Sequence, residues 1–167
     1  MSASFEFTPE NKKRFEEILR RYPTKRAAML PSLHLTQEQE GYISPEAEQY
    51  IADLLEVPVV DVREVVSFYT MFTRNPLGKH HIRVCESLSC WVRGSDEVKE
   101  TLEKELGVES GGITEDGEYS WEVIPDCLGA CELAPMLQLD GYFEGNLTRE
   151  KVVELLKKQA ASKTSGK

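Results

Sequence analysis

The sequence predicts a mixed fold in two parts, a small helical bundle over residues 1–76 followed by a small α/β sandwich. Three observations carry that prediction. Apolar residues in the first part recur at helical spacing behind Thr-Pro and Ser-Pro pairs. From His80 onward, short β-prone runs alternate with helical stretches. Between the two parts, "NPLGK" (Asn75 to Lys79) sets Pro76 and Gly78 two residues apart, a boundary signal. A chain of 167 residues can bury cores of this kind.

The bundle begins at Thr8-Pro9, an N-cap followed by proline at the first helical position. Phe15, Ile18, Leu19 and Tyr22 then share one helical face. A second helix is expected from Lys25 to Glu40, kinked or broken at Pro31 and ended by Gly41. Ser44-Pro45 opens a third, with Ala47, Tyr50, Ile51, Leu54 and Leu55 as its stripe and Val57-Pro58 as its end. Val62, Val65, Val66 and Tyr69 mark a fourth. In the second part, His80 to Val84 reads as a strand ending at Cys85. Ser95 is the expected cap of a helix to Leu106, stopped by Gly107. "SGGITEDGE" is a loop, Tyr119 to Ile124 a strand, and Met136 to Leu139 turns through Asp140-Gly141 into Tyr142-Phe143 as a hairpin. Thr148 caps a last helix to about Gln159, and residues 161–167 form a polar tail. The expected order from residue 77 to 160 is therefore β-α-β-β-β-α.

The net charge of -9 argues against a phosphate backbone or an anionic membrane surface as partner. Seven Lys/Arg between residues 12 and 26 form one basic island, read as a solvated helix face. No run of 18 apolar residues exists, so no membrane insertion is expected, and the N-terminal residues carry no signal or transit pattern. A reducing compartment follows, where stable disulfides are rare. A strand followed by G-x-G-x-x-G is absent, so the chain has no usual dinucleotide fingerprint of its own. His34, His80 and His81 belong to no nucleophile–base set; His80 and His81 are expected one packed and one solvated.

Four cysteines stand in two close pairs: Cys85 and Cys90 in "CESLSC", Cys127 and Cys131 in "CLGAC". Each pair follows an expected strand, so both loops can converge at one end of the sheet. Three chemistries compete. Structural zinc uses tight knuckles of two to four intervening residues, and these spacings are at the loose end. Dithiol redox chemistry uses C-x-x-C at a helix N-terminus, which neither pair has. A [2Fe–2S] cluster wants two thiolates on each iron, which two separated pairs supply.

The stretches "AAMLPSLHLTQEQEGYISPEA", "VVSFYTMFTRNPLGKHHIRVC", "SCWVRGSD", "DCLGAC" and "NLTREKV" together resemble the thioredoxin-like [2Fe–2S] ferredoxins. Within that family they are similar to the small peripheral-arm subunit of NADH:quinone oxidoreductase, respiratory complex I. The resemblance spans nearly the whole chain. Arg149 departs from it, standing where the family usually has proline. The resemblance implies a thioredoxin-like fold for residues 77–160 and one [2Fe–2S] cluster on Cys85, Cys90, Cys127 and Cys131. It also implies attachment to a partner subunit that holds flavin mononucleotide (FMN) and binds NADH, and to other peripheral-arm subunits. The chain would then be an electron carrier on the cytoplasmic face of the inner membrane, or the matrix side in a mitochondrion. Residues 1–76 would dock it. The equivalent subunit of an NAD-dependent hydrogenase or formate dehydrogenase is the alternative inside the family, and a zinc-stabilised interaction module the one outside it.

Four residues near the cysteines are candidates for tuning such a cluster. The small, apolar loop from Cys127 to Cys131 lets backbone N–H groups approach the sulfurs, and its Gly129 either allows a positive φ or is an ordinary turn glycine. Trp91 screens water, packs on a neighbouring subunit, or packs in the core. Arg93 is the nearest cation in sequence to the loops, opposed by Glu86, Asp126 and Glu132; the acidic surroundings predict a low reduction potential. Pro135 stiffens the segment leaving Cys131. The fold resemblance makes Ala134–Pro135 a candidate cis peptide, against a trans proline opening an edge strand.

Overall fold

The computed structural model describes residues 5–162. Its chain divides into two compact units, Met1–Pro76 and Leu77–Lys167.

The first unit holds α1 (Pro9–Arg21), α2 (Met29–Glu40), α3 (Pro45–Leu55) and α4 (Val59–Phe68). Both predicted caps form: Thr8 Oγ1 accepts from the Asn11 amide at 3.2 Å and Ser44 Oγ from the Ala47 amide at 3.1 Å. Pro31 does not break its helix. A 3₁₀ turn, Arg26–Ala28, precedes α2, which places Pro31 in the first helical turn, where its missing N–H has no intrahelical acceptor to lose. Gly41 ends α2 in the left-handed region as expected. The core gathers Phe7, Phe15, Leu33, Leu35, Ile43, Ile51, Leu55, Val62, Val66 and Phe72. Burying each such side chain stabilises by about 1.5–3 kcal/mol. Phe7, outside every predicted stripe, is buried against Phe15 and Tyr50. Glu48 is buried too, 1% exposed, and its carboxylate meets Arg63 Nε at 3.0 Å and Arg74 Nε at 3.6 Å.

The second unit runs β1 (His80–Cys85), α5 (Leu88–Val92), α6 (Ser95–Leu106), β2 (Tyr119–Ile124), a 3₁₀ turn Cys131–Leu133, β3 (Leu137–Leu139), β4 (Tyr142–Glu144) and α7 (Arg149–Ser162). The class is the mixed one expected, with α5 as an additional helix. The sheet order is β2-β1-β3-β4; β1 and β2 are parallel, and β3 and β4 antiparallel to their neighbours. Alternation puts Ile82 and Val84, Trp121, and Leu137 and Leu139 into one core with Val98 and Leu102 of α6 and Val152 of α7. Ser95 is not the cap of α6. Gly94, at φ +94°, occupies that position and Ser95 is the buried first residue. Arg149 opens α7 and reaches back to α6, with Nη2 3.1 Å from Glu100 Oε2. α7 runs to Ser162, past its expected end at Gln159 and into the expected tail; 163–167 lie outside the described residues.

The histidines of β1 do not divide into one packed and one solvated: both are part-buried and partnered. His80 Nδ1 stands 2.6 Å from Asp140 Oδ2 and stacks near Tyr119; His81 meets Ser120 Oγ at 2.9 Å and Glu122 Oε1 at 3.4 Å. Arg83 also reaches Glu122 Oε1, at 3.2 Å. Side chains two apart on β1 thus pair with their register partners on β2.

Candidate metal centre

Topology brings the two cysteine loops together. Cys85 is the last residue of β1 and pairs in register with Ile124, the last of the parallel strand β2. Cys127 follows three residues later, at the same sheet end. Antiparallel β3 begins there as well, since Leu137 pairs with Val84, so the segment from Cys131 to Met136 enters the sheet beside the same end. α5, a five-residue helix, folds Cys90 back over it. All four thiols are free.

The cysteines are not equivalent. Cys85 and Cys90 are each 1% exposed and pack with Ala130, Ala134 and Met136, flanked by Leu128 and Leu133. Cys127 and Cys131 are exposed, with their sulfurs 3.3 Å apart. The Met136 backbone serves the buried pair: its carbonyl accepts from the Cys85 amide at 3.3 Å and its amide bonds the Cys90 sulfur. The Gly129 amide donates to Cys127 Sγ at 3.4 Å, and Gly129 holds φ +81° to do so.

Burial is the main reason the Cys90 thiol is pushed up to about 11, with the Met136 amide opposing and the neighbouring Cys85 adding. Cys127 is pulled below the ordinary thiol range, first by the Gly129 amide and then by Cys131, with Cys85 and Ser87 also contributing. Cys131 is pushed up chiefly by Cys127, against a hydrogen bond from Ser89. These mutual effects link the thiols of both loops. Among the described residues, no three His, Cys, Asp or Glu side chains form a ready-made group for a single metal ion. The sulfurs stand as two adjacent pairs over an apolar floor. That donor set, soft and paired, fits a thiolate-held binuclear iron–sulfur group.

The tuning candidates fall in different places. Gly129 and Pro135 are at the site; Pro135 is buried, and the Ala134–Pro135 peptide is cis and precedes an interior strand rather than an edge. Trp91 is 56% exposed and so is no core residue; Leu88 and Val92 beside it are each 70% exposed. Arg93 is exposed at the C-terminal end of α5. Sequence reasoning missed Lys99, which pairs with Glu86 and, at 2.7 Å, with Asp96. It also missed Ser87, Ser89 and Met136. Two serines between Cys85 and Cys90 were the available signal, since hydroxyls beside thiolates are donors to sulfur.

Among the described residues, no helix is long and apolar enough to cross a membrane. The thioredoxin-like [2Fe-2S] ferredoxin family profile matches residues 15–160. The E subunit of NADH-quinone oxidoreductase from Rickettsia bellii (strain RML369-C) is 42% identical over 159 residues, 93% of this chain and 94% of the relative. The protein of the same name from Rickettsia felis (strain ATCC VR-1525 / URRWXCal2) is 41% identical over 160 residues, 93% and 95% of the two chains. Among solved structures, an NAD+-reducing [NiFe]-hydrogenase in the air-oxidized state shares the fold at a TM-score of 0.65 and 19% identity, over 80% of this chain and 23% of that one. The match over most of the chain, and over nearly the full length of its relatives, means that the chain belongs to the thioredoxin-like [2Fe-2S] ferredoxin family and, within it, to the E subunits of NADH-quinone oxidoreductase.

Proposed function

We propose that the chain is the electron-carrying subunit of an NADH-quinone oxidoreductase, with one [2Fe–2S] cluster held by Cys85, Cys90, Cys127 and Cys131. The observation that carries this reading is the meeting of two thiol pairs over one apolar floor. When bound, the cluster supplies one-electron chemistry. The chain's part is placement: β1 and α5 fix the inner thiols, the Gly129 amide is aimed at the Cys127 sulfur, and Ala130, Ala134 and Met136 keep water from the inner side. Gly129, Pro135, Trp91 and Arg93 are the proposed tuning residues. Glu86, Asp126 and Glu132, all exposed, favour a low reduction potential.

The proposed electron donor is reduced FMN on a flavoprotein subunit that also binds NADH. Leu88, Trp91 and Val92 form an exposed apolar ridge around Cys90 and support an approach from that side. In the first unit, Val60, Phe68 and Met71 are 55%, 77% and 46% exposed, which supports a docking role for residues 1–76 alongside other peripheral-arm subunits. The proposed location is the cytoplasmic face of the inner membrane, reached through the complex.

Metal and sulfide analysis tests the core of this reading. About two irons and two sulfides per chain are expected, with a single spin-half signal on reduction. One zinc per chain without sulfide would sink it. Trp91→Ala and Phe68→Asp in the full chain should leave the visible absorption intact and weaken flavoprotein binding about tenfold or more, as hot-spot aromatics do. Unchanged binding in both removes the docking assignment. A hydrogenase subunit copurifying instead would move the chain to that complex.

A further inference from the structure

We propose that Gly145, Asn146 and Leu147 form a backbone clamp that positions the Cys131 thiolate, an inference that rests on Cys131 being a cluster ligand. Cys131 is exposed, as is Glu132 beside it, so apolar burial does not hold that end of the site. Main-chain bonds from the connection between β4 and α7 hold it instead. The Asn146 amide donates to the Leu133 carbonyl at 2.6 Å, and the Leu147 amide to the Pro135 carbonyl at 3.0 Å. Leu133 closes the 3₁₀ turn that starts at Cys131, and the Ala134 amide donates back to the Cys131 carbonyl at 3.2 Å. A displacement of Leu133 is therefore passed to Cys131 through one short turn.

Two local features let the clamp close. A Cβ placed on Gly145 would lie 2.4 Å from Leu133 Cβ, 2.8 Å from Leu133 O and 3.2 Å from Leu133 Cα. Those atoms are backbone or fixed to it, so no side-chain rotation relieves the overlap. Asn146 sits at φ +51°, a left-handed turn that asparagine tolerates better than most residues. Behind the clamp, Leu147 is 7% exposed in the same core as Val152 of α7. An exposed thiol is thus tied to the packed side of the unit. Gly145 is a positioning residue, acting through Leu133 rather than touching the cluster.

The test uses the full chain, reconstituted with iron and sulfide. Gly145→Ala should keep its far-UV circular dichroism, shift the g-values of the reduced cluster, and hold iron about 10- to 100-fold more weakly against a chelator, the range typical of lost outer-shell support. Leu102→Ala, buried on α6 and with no part in the clamp, should lower the melting temperature while keeping wild-type g-values and iron retention. If Gly145→Ala fails to fold, the Asn146 pair decides. Asn146→Gly, which accepts the same φ, should match wild type; Asn146→Val, which resists it, should shift the g-values. Wild-type g-values and iron retention in Gly145→Ala or Asn146→Val overturn the clamp alone, as does an equal shift in Leu102→Ala. A wild-type chain that takes up no iron overturns the cluster reading and the clamp with it.

Discussion

Cys85 and Cys90 are each 1% exposed, whereas Cys127 and Cys131 stand exposed, although all four thiols meet at one end of the same sheet. The inner pair is fixed by secondary structure and packing: β1 ends on one thiol, α5 carries the other, and Met136 closes the floor. The outer pair is fixed by hydrogen bonds to a loop. Charge follows individual partners rather than the pairing. Burial raises the Cys90 thiol, the Gly129 amide lowers Cys127, and Cys127 in turn raises Cys131. Metal binding must expel protons from thiols, so Cys127 is favoured as the first ligand, while burial opposes ionisation at Cys90.

The largest test of that contrast is ligand replacement. Cys85→Ser or Cys90→Ser puts a hydroxyl in an apolar floor with little room for a substitute ligand, and should abolish cluster loading. Cys127→Ser or Cys131→Ser leaves an exposed position where the serine oxygen or solvent can stand in, and should retain a weakened, altered cluster. Iron and sulfide per chain, read with the visible spectrum, rank the four. Equal loss at all four would erase the distinction between inner and outer thiols.

Met136→Ala comes next. Met136 is 1% exposed, and emptying such a site typically costs about 2–5 kcal/mol. The loss should appear in chemical unfolding of the cluster-free chain and again as faster cluster loss. Stability reduced without any change in cluster retention would mean that the floor supports the fold but not the centre.

What the sequence disclosed of this site follows from how local each cause is. The cysteine pairs and their strands were legible, because chain order and β periodicity bring Cys85 and Cys127 to one sheet end. The caps at Thr8 and Ser44 were legible because a cap is settled within four residues. Ser95 misled because Gly94, in a left-handed turn, took the cap position first. α5 was hidden: five residues are too few for a helical period to show, and without it Trp91 had no predictable face. Pro31 is misleading because the 3₁₀ turn Arg26–Ala28 delays the start of α2 to Met29, which leaves the proline in the first turn. The difference between inner and outer thiols was invisible, since burial is decided by Met136 and Ala134 arriving from another part of the chain. The same holds for His81, whose partners Ser120 and Glu122 lie across the sheet.

Gly129→Ala sharpens the account of the outer loop. Nothing lies within 4 Å of a Cβ at this position, so sterics add no cost beyond the φ of +81° itself. A left-handed alanine costs about 1–2 kcal/mol. Relief of that strain should rotate the amide away from Cys127 Sγ. An N–H aimed at sulfur favours the more negative, reduced cluster, so the variant should load but show a more negative midpoint potential. A potential equal to wild type, in a variant that loads fully, would remove Gly129 from the tuning residues.

The smallest effect is expected one layer away, on the face of β1 and β2 held by charge rather than apolar packing. Glu122 is held below the usual carboxylate range, first by its hydrogen bond with His81, with Arg83 adding and burial opposing. A depressed folded-state value means that the ionised form stabilises the fold. The contribution is complete above the unfolded carboxylate value of about 4.3 and is lost as pH falls through the folded value below it. The Glu122 side chain is 33% exposed, so solvent screening keeps the effect to about 1 kcal/mol or less. Glu122→Gln should therefore unfold slightly more easily than wild type at pH 7, and the two curves should converge in acid below the folded value. Urea midpoints across that range decide it. A gap that persists unchanged into acid would mean that Glu122 acts by packing, and that both faces of the strand carrying Cys85 are held by the same force.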